Sequence, residues 1–125
     1  MAHSVLVVDD RAEIVELLSS FLGADDRLSL DGVARDGVEA VACSERGCAD
    51  AIILDVEMPR MDGLEALPML RKACPHGVIV IYSSDPEAAT TGPQLGADAV
   101  VDKADDPVDL IDVVADLCRT RTTAP

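Results

Sequence analysis

Aromatic residues are almost missing from this chain, which has one Phe, one Tyr and no Trp. Proteins that hold single-stranded nucleic acid stack the bases on aromatic side chains, so that class is disfavoured. Cationic residues are scarce too: ten Lys and Arg stand against 24 Asp and Glu, for a formal net charge of −14. A DNA-binding face must displace counterions with Lys and Arg. The chain is therefore expected to bind neither nucleic acid nor anionic membrane. No apolar run reaches the length of a transmembrane span or a signal core, and the opening Met-Ala-His-Ser carries no basic segment. A cytoplasmic location is the expectation. The four cysteines, Cys43, Cys48, Cys74 and Cys118, lack tight metal-ligand spacing and are expected to be small, mostly buried thiols kept reduced, with no disulfide or metal role.

What is present suffices for one core. A length of 125 residues, 49% of them hydrophobic, fits one domain without disulfide or metal staples. Five short apolar runs recur: Val5 to Val8, Leu28 to Ala34, Ala51 to Leu54, Val78 to Tyr82, and Ala99 to Val101. The first, third and fourth are continuous rather than alternating, as strands buried on both faces of a parallel sheet are. Between the runs the period is helical. Ile14, Leu17, Leu18, Phe21 and Leu22 form one stripe, and Leu110, Val113, Val114, Leu117 and Cys118 form another. Asp62 with Glu65 reads as a capping box, while Asp85-Pro86 and Asp106-Pro107 place a capping carboxylate before a first-turn proline. Gly23 and Gly47 stand where helices should stop. The fold class is α/β, a single doubly wound (βα)5 domain over residues 1–119. Residues 120–125 are expected to form a disordered tail or linker stub.

Polar residues follow the strands. Strand one ends in Asp9-Asp10, strand three in Asp55, strand four in Ser83-Ser84 and strand five in Asp102-Lys103. In an open parallel sheet the carboxyl ends of the strands lie together, and ligands bind just beyond them. Each residue alone has a plainer reading: Asp10 could cap the first helix, and the serines could start a turn. Asp55, however, leads into Val-Glu-Met-Pro rather than directly into a helix. Three clustered carboxylates repel unless a cation joins them, and hard oxygen ligands suit Mg2+. Lys103 offers a compact positive charge for a phosphoryl oxygen. A nucleophile, a metal site and a charge clamp are the parts of a phosphoryl-transfer site.

These residues, together with the segment from Leu54 through Asp55 and Pro59 to Gly63, and Gly96-Ala97-Asp98 leading to Lys103, resemble the response-regulator receiver family over essentially the whole chain. The resemblance implies a flavodoxin-like parallel sheet in the order 2-1-3-4-5. It implies that Asp55 accepts a phosphoryl group from a histidine kinase's phosphohistidine, a histidine phosphotransfer protein or a small phosphodonor. Asp10, Asp55 and the backbone carbonyl of Glu57 would ligate Mg2+, with Asp9 acting through water. Lys103 would neutralise the phosphoryl charge and Ser83 would bond one of its oxygens. The implied partners are a sensor kinase upstream and an effector protein or output domain downstream. Such a chain is a signalling switch rather than an enzyme with a separate substrate.

Some positions depart from the family pattern. Val100 stands where an aromatic is usual, and Ala104 follows the lysine where proline is usual, so the Lys103–Ala104 peptide is expected to be trans. Gly92-Pro93 is hostile to helix, so the fourth helix is expected to be short, displaced or partly unwound, with fast amide exchange over 85–95. Pro68 is expected to kink the third helix. The competing readings are a pseudo-receiver that binds partners without phosphorylation, a phosphatase of the haloacid-dehalogenase kind and a flavodoxin-shaped flavin carrier. Glu57 stands where the phosphatase wants a second Asp, and no hydroxyl- and glycine-rich loop follows strand one to serve a flavin phosphate.

Overall fold

The continuous Val, Ile and Leu runs become strands covered on both faces. The computed structural model describes residues 2–123. In it β1 (His3–Val8), β2 (Leu28–Ala34), β3 (Ala51–Leu54), β4 (Val78–Tyr82) and β5 (Ala99–Val101) alternate with α1 (Ala12–Gly23), α2 (Gly37–Arg46), α3 (Gly63–Ala73), α4 (Pro86–Gln94) and α5 (Pro107–Thr123). All strand pairs are parallel, in the order β2-β1-β3-β4-β5. Every residue of β3 and β4 is buried, whereas β2, at the edge, is mostly exposed or half-buried.

Side chains alternate across a strand, and this splits the core in two. Val5, Val7, Ile53, Val80 and Tyr82 pack with Leu18 and Leu22 of α1 and Leu110 and Val114 of α5. On the other face Leu6, Val8, Ile52, Leu54, Ile79 and Ile81 pack with α2, α3 and α4 through Val41, Leu67, Leu70 and Ala88. Register then sets the upper rim. Val8 pairs with Leu54, Leu54 with Ile81, and Tyr82 with Val101. Asp9, Asp55, Ser83 and Asp102 thus leave the sheet at nearly one level.

Four expectations meet the structure here. The Lys103–Ala104 peptide is trans, no cis bond occurring among the described residues. α3 runs through Pro68 without interruption. α4 is short but regular, which corrects the expectation of an unwound segment. The Asp85 carboxylate accepts the Glu87 N–H and Pro86 opens the helix, while Gly92 lies where a Cβ would come within 2.6 Å of Ile81 Cδ1. The glycine lets α4 sit close on the sheet, which compensates for its poor helix propensity. The end is closed by Ala97 N–H to Gly92 O at 3.0 Å and Gly96 N–H to Pro93 O at 3.2 Å, with Gly96 at φ +115°, a Schellman arrangement. Where a tail was expected from residue 120, α5 continues to Thr123. Arg121 is tied down by the His76 and Gly77 carbonyls and the Asp98 carboxylate; residues 124 and 125 lie outside the described residues.

The cysteine expectation is also corrected. Cys48 and Cys74 form a disulfide with their Cα atoms 5.8 Å apart, and Cys43 and Cys118 take no part in it. The pair is 26 residues apart in sequence. It meets only because β3 and α3 run antiparallel to each other across one crossover, a closeness that local spacing does not reveal.

Candidate functional site

The rim brings the predicted residues together. Asp9 is 2% exposed; its Oδ1 accepts the Arg11 N–H at 2.9 Å and its Oδ2 accepts from Lys103 Nζ at 3.0 Å. Arg11, not Asp10, occupies the N-cap of α1, so the plainer reading of Asp10 as a cap does not hold. Asp10 is exposed and faces the cavity instead. Asp55, 6% exposed, receives both the Val56 N–H at 2.9 Å and Lys103 Nζ at 3.1 Å on Oδ1. One carboxylate oxygen from each of Asp9, Asp10 and Asp55 lies within 4.8 Å of the others. Asp10, Asp55, Glu57, Ser83 and Lys103 line one cavity of about 570 Å3.

The electrostatics follow from burial. Desolvation, then the neighbouring Asp9 charge, pushes the Asp55 carboxyl above its ordinary range, against the pull of Lys103. Desolvation also opposes charge on Lys103, but the hydrogen bond to Asp9 and the charge of Asp55 outweigh it, so its ammonium is held more firmly than usual. The site therefore keeps one cation fixed between two buried anions. The Asp102 carboxylate prepares that cation's position by accepting the Ala104 N–H at 2.8 Å in the turn after β5. The Ser83 hydroxyl is buried and accepts the Asp85 N–H at 3.0 Å. Ser84 donates to Asp102 at 3.2 Å and lines the same cavity.

Several residues have supporting roles that the sequence pattern does not reveal. Gly63 donates its N–H to Val56 O at 2.8 Å, and a Cβ there would fall 2.0 Å from the Asp55 carbonyl oxygen. No other residue lets α3 start this close to Asp55. Arg60, at φ +65°, pairs with the buried Asp36 at the start of α2. The Asp36 carboxyl is held below its usual range first by the Glu39 N–H, with the Arg60 pair assisting against burial. These contacts fix the loop that follows Asp55. Tyr82 puts its ring 5.9 Å from Lys103 Nζ, inside cation–π range. Its position just before Ser83 was the available signal, but it read as one more apolar strand residue.

The chain is similar in sequence and fold to known proteins. The family model for the response regulator receiver domain matches residues 5–115. A protein-glutamate methylesterase/protein-glutamine glutaminase of Halalkalibacterium halodurans is 38% identical over 117 residues, covering 90% of this chain and 34% of that protein. A second such protein, from Pseudomonas aeruginosa, is 46% identical over 100 residues, covering 78% of this chain and 29% of the relative. The chain thus spans about a third or less of the curated relatives it matches. Among solved structures, the response regulator domain of Thermotoga maritima CheB superimposes with a TM-score of 0.84 at 26% identity, each chain covering 100% of the other. With the strand order and the upper rim as described, this chain belongs to the response regulator receiver domain family.

Proposed function

We propose that this receiver accepts a phosphoryl group on Asp55 from the phosphohistidine of a sensor histidine kinase or a histidine phosphotransfer protein, and changes its affinity for an effector protein or output domain. The observation that carries the proposal is the Lys103 ammonium held between Asp9 and Asp55 at the cavity floor. Both hydrogen bonds to Asp55 fall on Oδ1, which leaves Oδ2 to attack phosphorus while the donor imidazole departs. Lys103 favours the ionised, nucleophilic carboxylate and afterwards meets charge on the phosphoryl oxygens. Ser83 already accepts from Asp85 N–H, so its own proton can be donated to a phosphoryl oxygen.

Three carboxylate oxygens within 4.8 Å, one from an exposed residue, fit a small hard divalent cation. Asp10, Asp55 and the Glu57 carbonyl would hold Mg2+ directly, with Asp9 through water. Bound there, Mg2+ would neutralise charge on the transferring group. The chain would act in the cytoplasm as a switch catalysing only its own phosphorylation and dephosphorylation. A pseudo-receiver remains the second reading, favoured by Val100, which packs beside Gly92 and offers no aromatic or hydroxyl to report on the site.

Incubation with acetyl phosphate and Mg2+, followed by intact mass, separates the readings. A receiver gains one phosphoryl adduct. A pseudo-receiver gains none, and a phosphatase turns over repeatedly.

A further inference from the structure

At the end of the sheet opposite Asp55, the disulfide joins two elements. Cys48 lies between α2 and β3, and Cys74 caps the C-terminus of α3. The ring it closes contains β3, Asp55, the following loop and the whole of α3. The two residues differ in exposure: Cys48 is exposed, whereas Cys74 is 2% exposed. A cavity of about 360 Å3 opens beside the bond, lined by both cysteines together with His3, Asp50, His76 and Arg121. Thiol–disulfide exchange needs a thiolate to reach one sulfur while the other leaves. The more exposed residue of the pair, Cys48, is the easier one for a small thiolate to approach.

We propose that Cys48 is a site of reversible S-thiolation by low-molecular-weight thiols and disulfides, and that Cys74 is its resolving thiol. In oxidation the Cys48 thiolate attacks a small disulfide RSSR, forming the mixed disulfide at Cys48 and releasing RS−. The Cys74 thiolate then attacks Cys48 Sγ, closes the ring and expels the second RS−. The protein loses two hydrogens and RSSR becomes two RSH. Reduction reverses both steps: RS− attacks Cys48 Sγ, Cys74 leaves as thiolate and is protonated, and a second RS− frees Cys48 as RSSR forms. A reducing compartment holds the pair open, and an oxidising shift closes a ring around the segment that carries Asp55. The inference is independent of phosphorylation, and its test reads no phosphoryl group.

The fully reduced chain is treated with oxidised glutathione, quenched in acid and mapped by peptide mass. Wild type should end as a linked Cys48–Cys74 peptide. The Cys74→Ala variant should stop at a single glutathionyl adduct on Cys48. A limiting dose of iodoacetamide on reduced wild type requires no variant to fold, and should label Cys48 at least about tenfold faster than Cys74, because reactivity follows thiolate access. Equal labelling of Cys48 and Cys74, first adduct formation at Cys43 or Cys118, or a stable mixed disulfide in wild type with no ring closure would each overturn the proposal.

Discussion

At the scale of single residues, the site depends on groups that never meet a phosphoryl donor. Gly63 is the sharpest case, because a Cβ would strike backbone, the Asp55 carbonyl oxygen at 2.0 Å, rather than a side chain that could turn aside. Gly63→Ala should cost roughly 3 kcal/mol, at the upper end of overpacking penalties, and should slow phosphoryl uptake at Asp55. Urea titration and acetyl phosphate labelling on the same preparation check both effects, and a variant as stable as wild type would show that the loop relaxes freely. Asp98 plays the corresponding part at the lower end of the sheet. Burial opposes its charge, but the Ile79 N–H, Arg121 and Arg71 together lower its pKa below the ordinary 3.8. A carboxyl depressed in the folded state adds stability that is present above its unfolded pKa and is lost as pH falls through the folded pKa. Asp98→Asn should therefore lose about 1–2 kcal/mol at neutral pH. The gap from wild type should shrink as the solution is acidified below about pH 4, the usual carboxylate range. Denaturant midpoints across that range give the answer.

Among the elements, strands were the most legible, because continuous apolar runs bounded by polar residues admit little else; β2 through β5 have the residue limits their runs suggested. Helix starts were legible for the same local reason: Asp62 and Glu65 do form a reciprocal capping box, and Asp85 does cap α4. α4 itself was misjudged, since propensity alone penalises Gly92-Pro93 and cannot see that the helix must approach Ile81 and Val100 closely. Tertiary packing outweighs about 1 kcal/mol of glycine propensity here. Gly92→Ala should consequently destabilise rather than stabilise, by about 1 kcal/mol. Amide exchange in wild type should show protection across 88–94, and a stabilised alanine variant would mean that the close contact does not matter. The disulfide was illegible for a related reason, because the crossover that joins Cys48 to Cys74 is a property of topology and not of spacing.

For the molecule as a whole, with a net charge of −14 and three carboxylates gathered at one rim, the proposed Mg2+ binding would add to stability as well as to chemistry. Millimolar Mg2+ should raise Tm by mass action on the folded state, and Asp10→Ala should abolish the rise; equal shifts in both proteins would place the cation elsewhere. The conjunction of Asp9, Asp10, Asp55, Ser83 and Lys103 was legible because each lies within two residues of a strand's end, and parallel topology collects strand ends. Their division of labour was less legible. Asp9 is buried against Lys103 while Asp10 faces the cavity, a difference that two adjacent identical residues conceal. The central claim is that Asp55 is the phosphoryl acceptor, and borohydride trapping tests it most directly. After acetyl phosphate and Mg2+, reduction of the acyl phosphate should convert one aspartate to homoserine, and tandem mass spectrometry should find it at Asp55 alone. Chelator or Asp55→Asn should abolish the conversion. Homoserine at any other position in the wild-type chain, or no conversion when Mg2+ is present, would contradict the account.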